Sequence, residues 1–296
     1  MTARAAVLIL EHQQPQRLAA LLRSLDHPGI DIYVHIDARM SCAPFEEVAP
    51  AGPRLTYLDD EDRVEVSWGS LSLVEASLAT LRAALGSGRE YGRYALLSGA
   101  DLRIAPLEEI LAAWSTSAEY MRIDRALTVP GAEPSWQVRR RHFNGRKGVA
   151  RRVLSGRIPR SVDNTIEMFQ GSQWWALTDG AVRYICDFVD RHPDWLRFHR
   201  HTFGPDEIVI QSIVASSPYV PCVTQNLVLS RTDPTADPLL HGMHYIDWSD
   251  ATSSSPRVLS LDDVPNLRRS SAFFARKLGR GSADLVELFE RELSGR

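Results

Sequence analysis

The 296-residue chain is poor in cysteine. Its three, Cys42, Cys186 and Cys222, are far apart and odd in number, and none stands in a C-x-x-C. That argues against a disulfide framework and a cysteine-based zinc site, and for a reducing compartment. Long apolar runs are also missing. In "MTARAAVLILEHQQP" the run Ala5 to Leu10 stops at Glu11 and His12, too short for a signal core, and no stretch reaches the length of a membrane span. Nor does charge of one sign dominate. The 34 basic and 37 acidic side chains leave a net charge of −3, so the chain as a whole is not built to hold nucleic acid or an anionic membrane. The expectation is a soluble, cytoplasmic protein, at most peripheral at the inner membrane face.

The signatures of several common chemistries are absent too. There is no G-x-x-x-x-G-K-[ST] and no G-x-G-x-x-G, which disfavours P-loop hydrolysis and dinucleotide-dependent hydride transfer. "GSQWW" does not make the G-x-S-x-G turn of a serine hydrolase. The single Asp-x-Asp pattern is Asp60-Glu61-Asp62 in "LDDEDRVEV", inside an acidic run that reads as a solvated turn. Where "LLSGAD" stops, Asp101 stands alone, so a divalent ion held there by two carboxylates is not supported. No internal repeat or low-complexity tract interrupts the chain.

What is present is an ordinary globular composition, 44% apolar and 24% charged, in an α/β order. "AAVLIL", "DIYVHID", "RLTYL" and "RYALLSGAD" read as strands. "QPQRLAALLRSL", with Leu18, Leu21, Leu22 and Leu25 at helical spacing, reads as a helix. So do "SLSLVEASLATLRAAL", with Gly86 just past its end, and "PLEEILAAW". Alternation of this kind predicts a mostly parallel sheet covered on both faces, with ligands outside the carboxyl ends of the strands, where "HID" and "SGAD" fall. Later, "FQGSQWWALTDGAVRYICDFV" reads as strand then helix, "TQNLVL" as a late strand, and "ADLVELFEREL" as a terminal helix. From Val138 to Arg160 there are nine Lys or Arg and no acid, either a solvated loop or a flap over an anionic ligand.

Three features carry candidate chemistry. In "HTFGPDEIVIQSIV" two acids follow Gly204-Pro205. Asp206 fits a helix cap, and Glu207 fits a carboxylate held toward a cleft. If no metal neutralises a diphosphate, fixed cations must do it, and the tail offers Arg257, Arg276 and Lys277, the last two beside Phe273 and Phe274. Trp174-Trp175 and "HYIDW", with Tyr245, Asp247 and Trp248, are candidate platforms for sugar rings, though each tryptophan alone also fits a core position.

In order, "LILEHQQPQRLAALLRSL", "IYVHIDAR", "VSWGSLSLVEASLATLRAAL", "YALLSGADLRI", "GSQWWALT", "PDE", "YIDW", "SPRVLSLDD" and "FFARKL" resemble the core-2/I-branching glycosyltransferases, from about Val7 to about Leu278. That family includes β-1,6-N-acetylglucosaminyltransferases and peptide O-xylosyltransferases, and this chain looks like a bacterial, cytoplasmic member. The resemblance implies a GT-A-type α/β fold as a single domain over 1–296. Its parts would be a nucleotide-binding half (1–110), an acceptor and catalytic half (111–235), and a C-terminal diphosphate-binding extension (236–296). It implies inverting transfer from a UDP-sugar without a metal, with UDP-N-acetylglucosamine the first donor and UDP-xylose the runner-up. A binding protein that kept the fold without turnover is the reading from another class.

Residue by residue, the resemblance makes Glu207 the general base and puts Arg257 and Lys277 on the diphosphate. It puts Val34, Asp37, Arg63, Ser98 and Gly99 near the nucleotide. Gln173, Trp174, Trp175, Tyr245, Asp247, Trp248 and Arg140 fall on the side of the acceptor, a glycan, glycolipid or small molecule. No cofactor or metal is implied, and Arg276 receives no role.

Overall fold

The computed structural model describes residues 4–143, 153–162, 167–229, 237–250, 253 and 255–294. Strands β1 (Ala5–Glu11), β2 (Ile30–Ile36), β3 (Leu55–Tyr57) and β4 (Arg93–Ser98) pair in parallel in the order β4-β1-β2-β3. β5 (Leu102–Arg103) follows β4 but leaves this sheet, and β6 (Glu119–Ala126) rejoins it. β7 (Arg140–Arg141) and β8 (Ile158–Pro159) form a separate ribbon. β9 (Phe169–Gly171) and β10 (Ala176–Thr178) add to the large sheet, as does β11 (Val223–Asn226). β10 lies antiparallel between β4 and β6, so β6 runs with β4, and β11 runs parallel to β6. Among its described strands only β9 and β10 run against the rest. This is the mostly parallel sheet, flanked by helices, of a GT-A-like α/β fold.

Both faces of the sheet are covered, and the pleat explains how. Ala6, Leu8 and Leu10 of β1 enter one core with the helices Ser72–Gly86 and Asp179–Arg191. Ala5, Val7 and Ile9 enter the other with the helices Pro15–Ser24 and Leu107–Trp114. A strand buried on both faces is an unbroken apolar run rather than an alternating one. Each large side chain that leaves water in this way contributes roughly 1.5–3 kcal/mol. The helix Ser72–Gly86 includes Gly86 instead of stopping before it, and the late strand stops at Asn226.

A second sheet joins the C-terminal part of the chain to the segment that follows β4. β12 (Leu240–His241), β13 (His244–Ile246) and β14 (Phe274–Arg276) line up with β5 in the order β12-β13-β14-β5. Leu278 N donates to Ala100 O at 2.8 Å, so the C-terminal strand is tied to the turn that follows β4. Among the described residues no helix is long and apolar enough to cross a membrane.

Candidate active site

A cavity of about 630 Å³ opens beside the carboxyl ends of β1, β2 and β4, a size suited to a small-molecule ligand. Glu11, Asp37 and Ser98 reach it from those strand ends. Glu11 Oε1 accepts from the backbone N–H groups of His12 and Gln13 at 2.6 and 2.7 Å, which fixes the turn into the next helix. Gly99 leaves room for that carboxylate, since a Cβ there would stand 1.6 Å from Glu11 Oε2 and push the side chain aside. Asp37 accepts from Arg39 Nε at 3.0 Å and Nη2 at 2.6 Å, and from Val66 N at 3.2 Å. Burial alone would raise its pKa; the bonds from Arg39 outweigh that and hold it below the ordinary value.

The acids of "GPDE" stand on another wall. Gly204 takes φ 64° and ψ 52°, a left-handed turn that suits glycine. Pro205–Glu207 then forms one 3₁₀ turn before the helix Val209–Ala215. The capping reading of Asp206 does not hold: the helix is preceded by Ile208 and has no side-chain cap bond. Asp206 lines the cavity, and its Oδ1 is enclosed with no hydrogen-bond partner among the described residues. Burial, reinforced by the neighbouring Glu207 charge, pushes its pKa up to about 7. Glu207 also lines the cavity, and its Oε2 accepts from Gln170 Nε2 at 2.8 Å. Burial raises its pKa, and the Gln170 bond opposes the rise.

The C-terminal segment brings the cations. Lys277 lines the cavity, and its Nζ donates to Ser255 Oγ at 3.3 Å. No ion pair of Lys277 with a carboxylate is formed among the described residues. Burial, with the Arg276 and Arg17 charges, lowers its pKa. Arg276 lines the cavity as well, its guanidinium 3.8 Å over the Trp174 ring and its Nη1 3.1 Å from Asp101 Oδ1. Asp101 in turn accepts from Ser98 N at 2.8 Å and lies 3.0 Å from His244 Nε2. Arg257 is placed differently. It does not line the cavity, although Ser255 and Pro256 do. Its Nε donates to Asp247 Oδ2 at 2.7 Å, and its other two nitrogens donate to Asp263.

Of the residues implied by the resemblance, Glu207, Lys277, Asp37, Ser98, Gln173, Trp174 and Trp248 meet at this cavity. The others do not line it. Val34 is wholly buried inside β2, and Trp175 lies in the main core. Tyr245 packs in the small C-terminal core, and Asp247 holds Arg257. Arg63 bonds Met40 O at 3.0 Å and pairs with Asp60 of an exposed turn. Arg140 Nη1 donates to Gly156 O at 3.2 Å.

The basic segment is only partly described, since residues 144–152 lie outside. Its described parts are not simply solvated. Val138 is buried, and Arg160 donates to Phe198 O at 2.6 Å and Thr202 Oγ1 at 2.7 Å. Sequence reasoning missed Glu11, His12, Arg39, Trp68, Asp124, Gln170, Phe203 and His241, which all line the cavity. Trp68 in "VSWGS" is 66% exposed, and that exposure had no sequence signal.

The family model of the Core-2/I-Branching enzyme (Branch) matches residues 6–268. The chain belongs to the Core-2/I-branching enzyme family. Comparison with the curated proteins finds no match. Core-2/I-branching enzymes are glycosyltransferases, with a nucleotide-sugar donor and an acceptor. The cavity suits that class chemically. A carboxylate able to take a proton and cations able to hold an anion face one space.

Proposed function

We propose that the protein is an inverting, metal-independent glycosyltransferase that moves a sugar, N-acetylglucosamine first, from a UDP-sugar to an acceptor hydroxyl. The observation that carries this reading is the shared cavity of Glu207 and Lys277. Glu207 takes the proton of the acceptor hydroxyl as its oxygen attacks the anomeric carbon. The bond from that carbon to the diphosphate oxygen breaks on the opposite side, so the configuration inverts. UDP leaves with the extra charge, which Lys277 stabilises, with Arg276 held nearby by Asp101 and Arg257 flanking the site in its pairs with Asp247 and Asp263.

The nucleoside lies at the strand ends, by Asp37 and Ser98, within the half 1–110, and the extension 236–296 closes over the diphosphate. The acceptor lies against Gln173 and Trp248, and the exposed face of Trp68 extends that side.

A thermal-shift screen with UDP-N-acetylglucosamine, UDP-xylose, UDP-galactose, UDP-glucose and GDP- or TDP-sugars identifies the donor, because a native ligand raises Tm by mass action. UDP-N-acetylglucosamine is expected to give the largest shift, and UDP-xylose leading would name the pentose donor instead. Activity is expected to persist in excess EDTA; a strict need for Mn²⁺ would overturn the metal-independent mechanism. Binding of UDP-sugars with no hydrolysis and no transfer to a broad acceptor panel would make the protein a binding module.

A further inference from the structure

Arg125 and Gln170 face each other across the antiparallel pair β6–β9. The register shifts between Ile123 and Arg125, an irregularity of the kind that re-aims side chains beside active sites. Arg125 Nε and Nη2 donate to Gln170 Oε1 at 3.0 and 2.8 Å. Nη2 also donates to Gln137 Oε1 at 3.1 Å, which anchors the guanidinium on a buried side chain. Gln170 then donates through Nε2 to Glu207 Oε2 at 2.8 Å.

A glutamine amide alone can point either way. Here the guanidinium, which has donors and no acceptor, takes the carbonyl oxygen and leaves the NH₂ for Glu207. That NH₂ can only donate, so the oxygen opposite must accept. An ionised carboxylate meets this condition with either oxygen, whereas a protonated one must turn its O–H away.

We propose that Arg125 and Gln170 are a positioning pair that holds Glu207 in one orientation and in its acceptor-only form. They act on the reaction through Glu207, so the proposal rests on the reading of Glu207 as the base. Among the described residues, the other charges around Glu207 are accounted for. Asp206 is its neighbour on the turn, and Asp124 on β6 works against its ionised form but is paired with Arg122 at 2.6 Å. The helix Val209–Ala215, packed on the turn, carries no charge. The helix Ser72–Gly86, also packed there, carries Glu75 and Arg82, and Arg82 is paired with Asp190 at 2.6 Å.

The test is a carboxyl-carbon NMR titration of Glu207 in the full chain, assigned by its loss in Glu207→Gln, alongside the pH profile of UDP release from UDP-N-acetylglucosamine. Removing the amide in Gln170→Met raises the Glu207 midpoint by roughly one pH unit. The acid limb of the rate profile then moves up by the same amount. Activity lost near pH 6 returns by pH 9, and UDP binding is unchanged. Arg125→Met moves both readouts the same way by less. An unmoved midpoint, or a rate loss equal at every pH, overturns the pair, because a merely structural defect has no pH rescue. UDP release at the wild-type rate by Glu207→Gln would instead remove the base reading. An unmoved midpoint with an inactive Glu207→Gln removes only the pair.

Discussion

On the Gly204–Glu207 turn two carboxylates stand in succession, and a neutral amide reaches the second of them. On the segment from Ser255 to Lys277 three of the five cations line or flank the cavity, among three carboxylates and an indole: Arg257 with Asp247 and Asp263, Arg276 with Asp101 and Trp174, and Lys277, among the described residues, with a serine hydroxyl. Both regions line or flank one cavity, yet charge is handled oppositely. The acids are left short of partners, so burial raises their pKa values. Most of the cations are matched, so their positions are rigid and little of their charge is left over. The difference separates groups that exchange protons from groups that hold a charge in place. It also separates Arg257 from Lys277, which the family resemblance treats alike.

The largest effect expected is at the base. Glu207→Gln keeps the shape and removes the proton acceptor, so transfer falls about 10²- to 10⁴-fold while UDP binding, read by calorimetry, stays intact. Wild-type transfer by this variant would break the acid side of the comparison.

Next is Lys277→Met, expected to lower kcat about 10²-fold by leaving the departing diphosphate without its ammonium. Because the Lys277 pKa is lowered, wild-type activity should fail on the alkaline side below the ordinary lysine value. That limb should be absent in Lys277→Arg. Arg257→Gln should cost less in kcat and more in stability, roughly 1–3 kcal/mol, since it leaves the buried Asp263 short of its partner. Equal kinetic losses in the two variants would erase the distinction between the cations.

The smallest effect is on stability at Asp206. Its folded pKa, about 7, lies above its ordinary value. The native state therefore binds the proton more tightly, so its stabilising contribution is present at low pH and is lost as pH rises through about 7. Asp206→Asn should remove that slope and raise Tm at pH 8 by a few degrees or so, with little change at pH 4. A parallel pH dependence of Tm in both proteins would show that the Asp206 carboxyl is not held in its neutral form.

Much of the frame was legible. Residues of "AAVLIL" and "DIYVHID" are buried throughout, and the turn after "LLS" brings Ser98 to the cavity, as the α/β alternation implied. The tryptophans were not legible. Trp174 and Trp175 are adjacent and chemically identical, yet one lines the cavity under Arg276 and the other lies wholly in the core. Successive strand-like residues point to opposite sides, and which side is the cavity depends on the packing of distant elements. The Asp206 cap failed for a related reason. Asp206 lies inside a 3₁₀ turn, and Glu207 and Ile208 separate it from the helix and its free N–H groups.

The sequence by itself determined the order of strands and helices, the Pro-Asp-Glu turn and the family, because periodicity, turn chemistry and motif order are properties of neighbours along the chain. Tertiary structure alone decided which charges are matched. Gln170 reaches Glu207, Arg125 orients Gln170, and Asp247 with Asp263 holds Arg257. A side chain's protonation and direction depend on what surrounds it in space, and folding brings those surroundings from separate stretches of the chain.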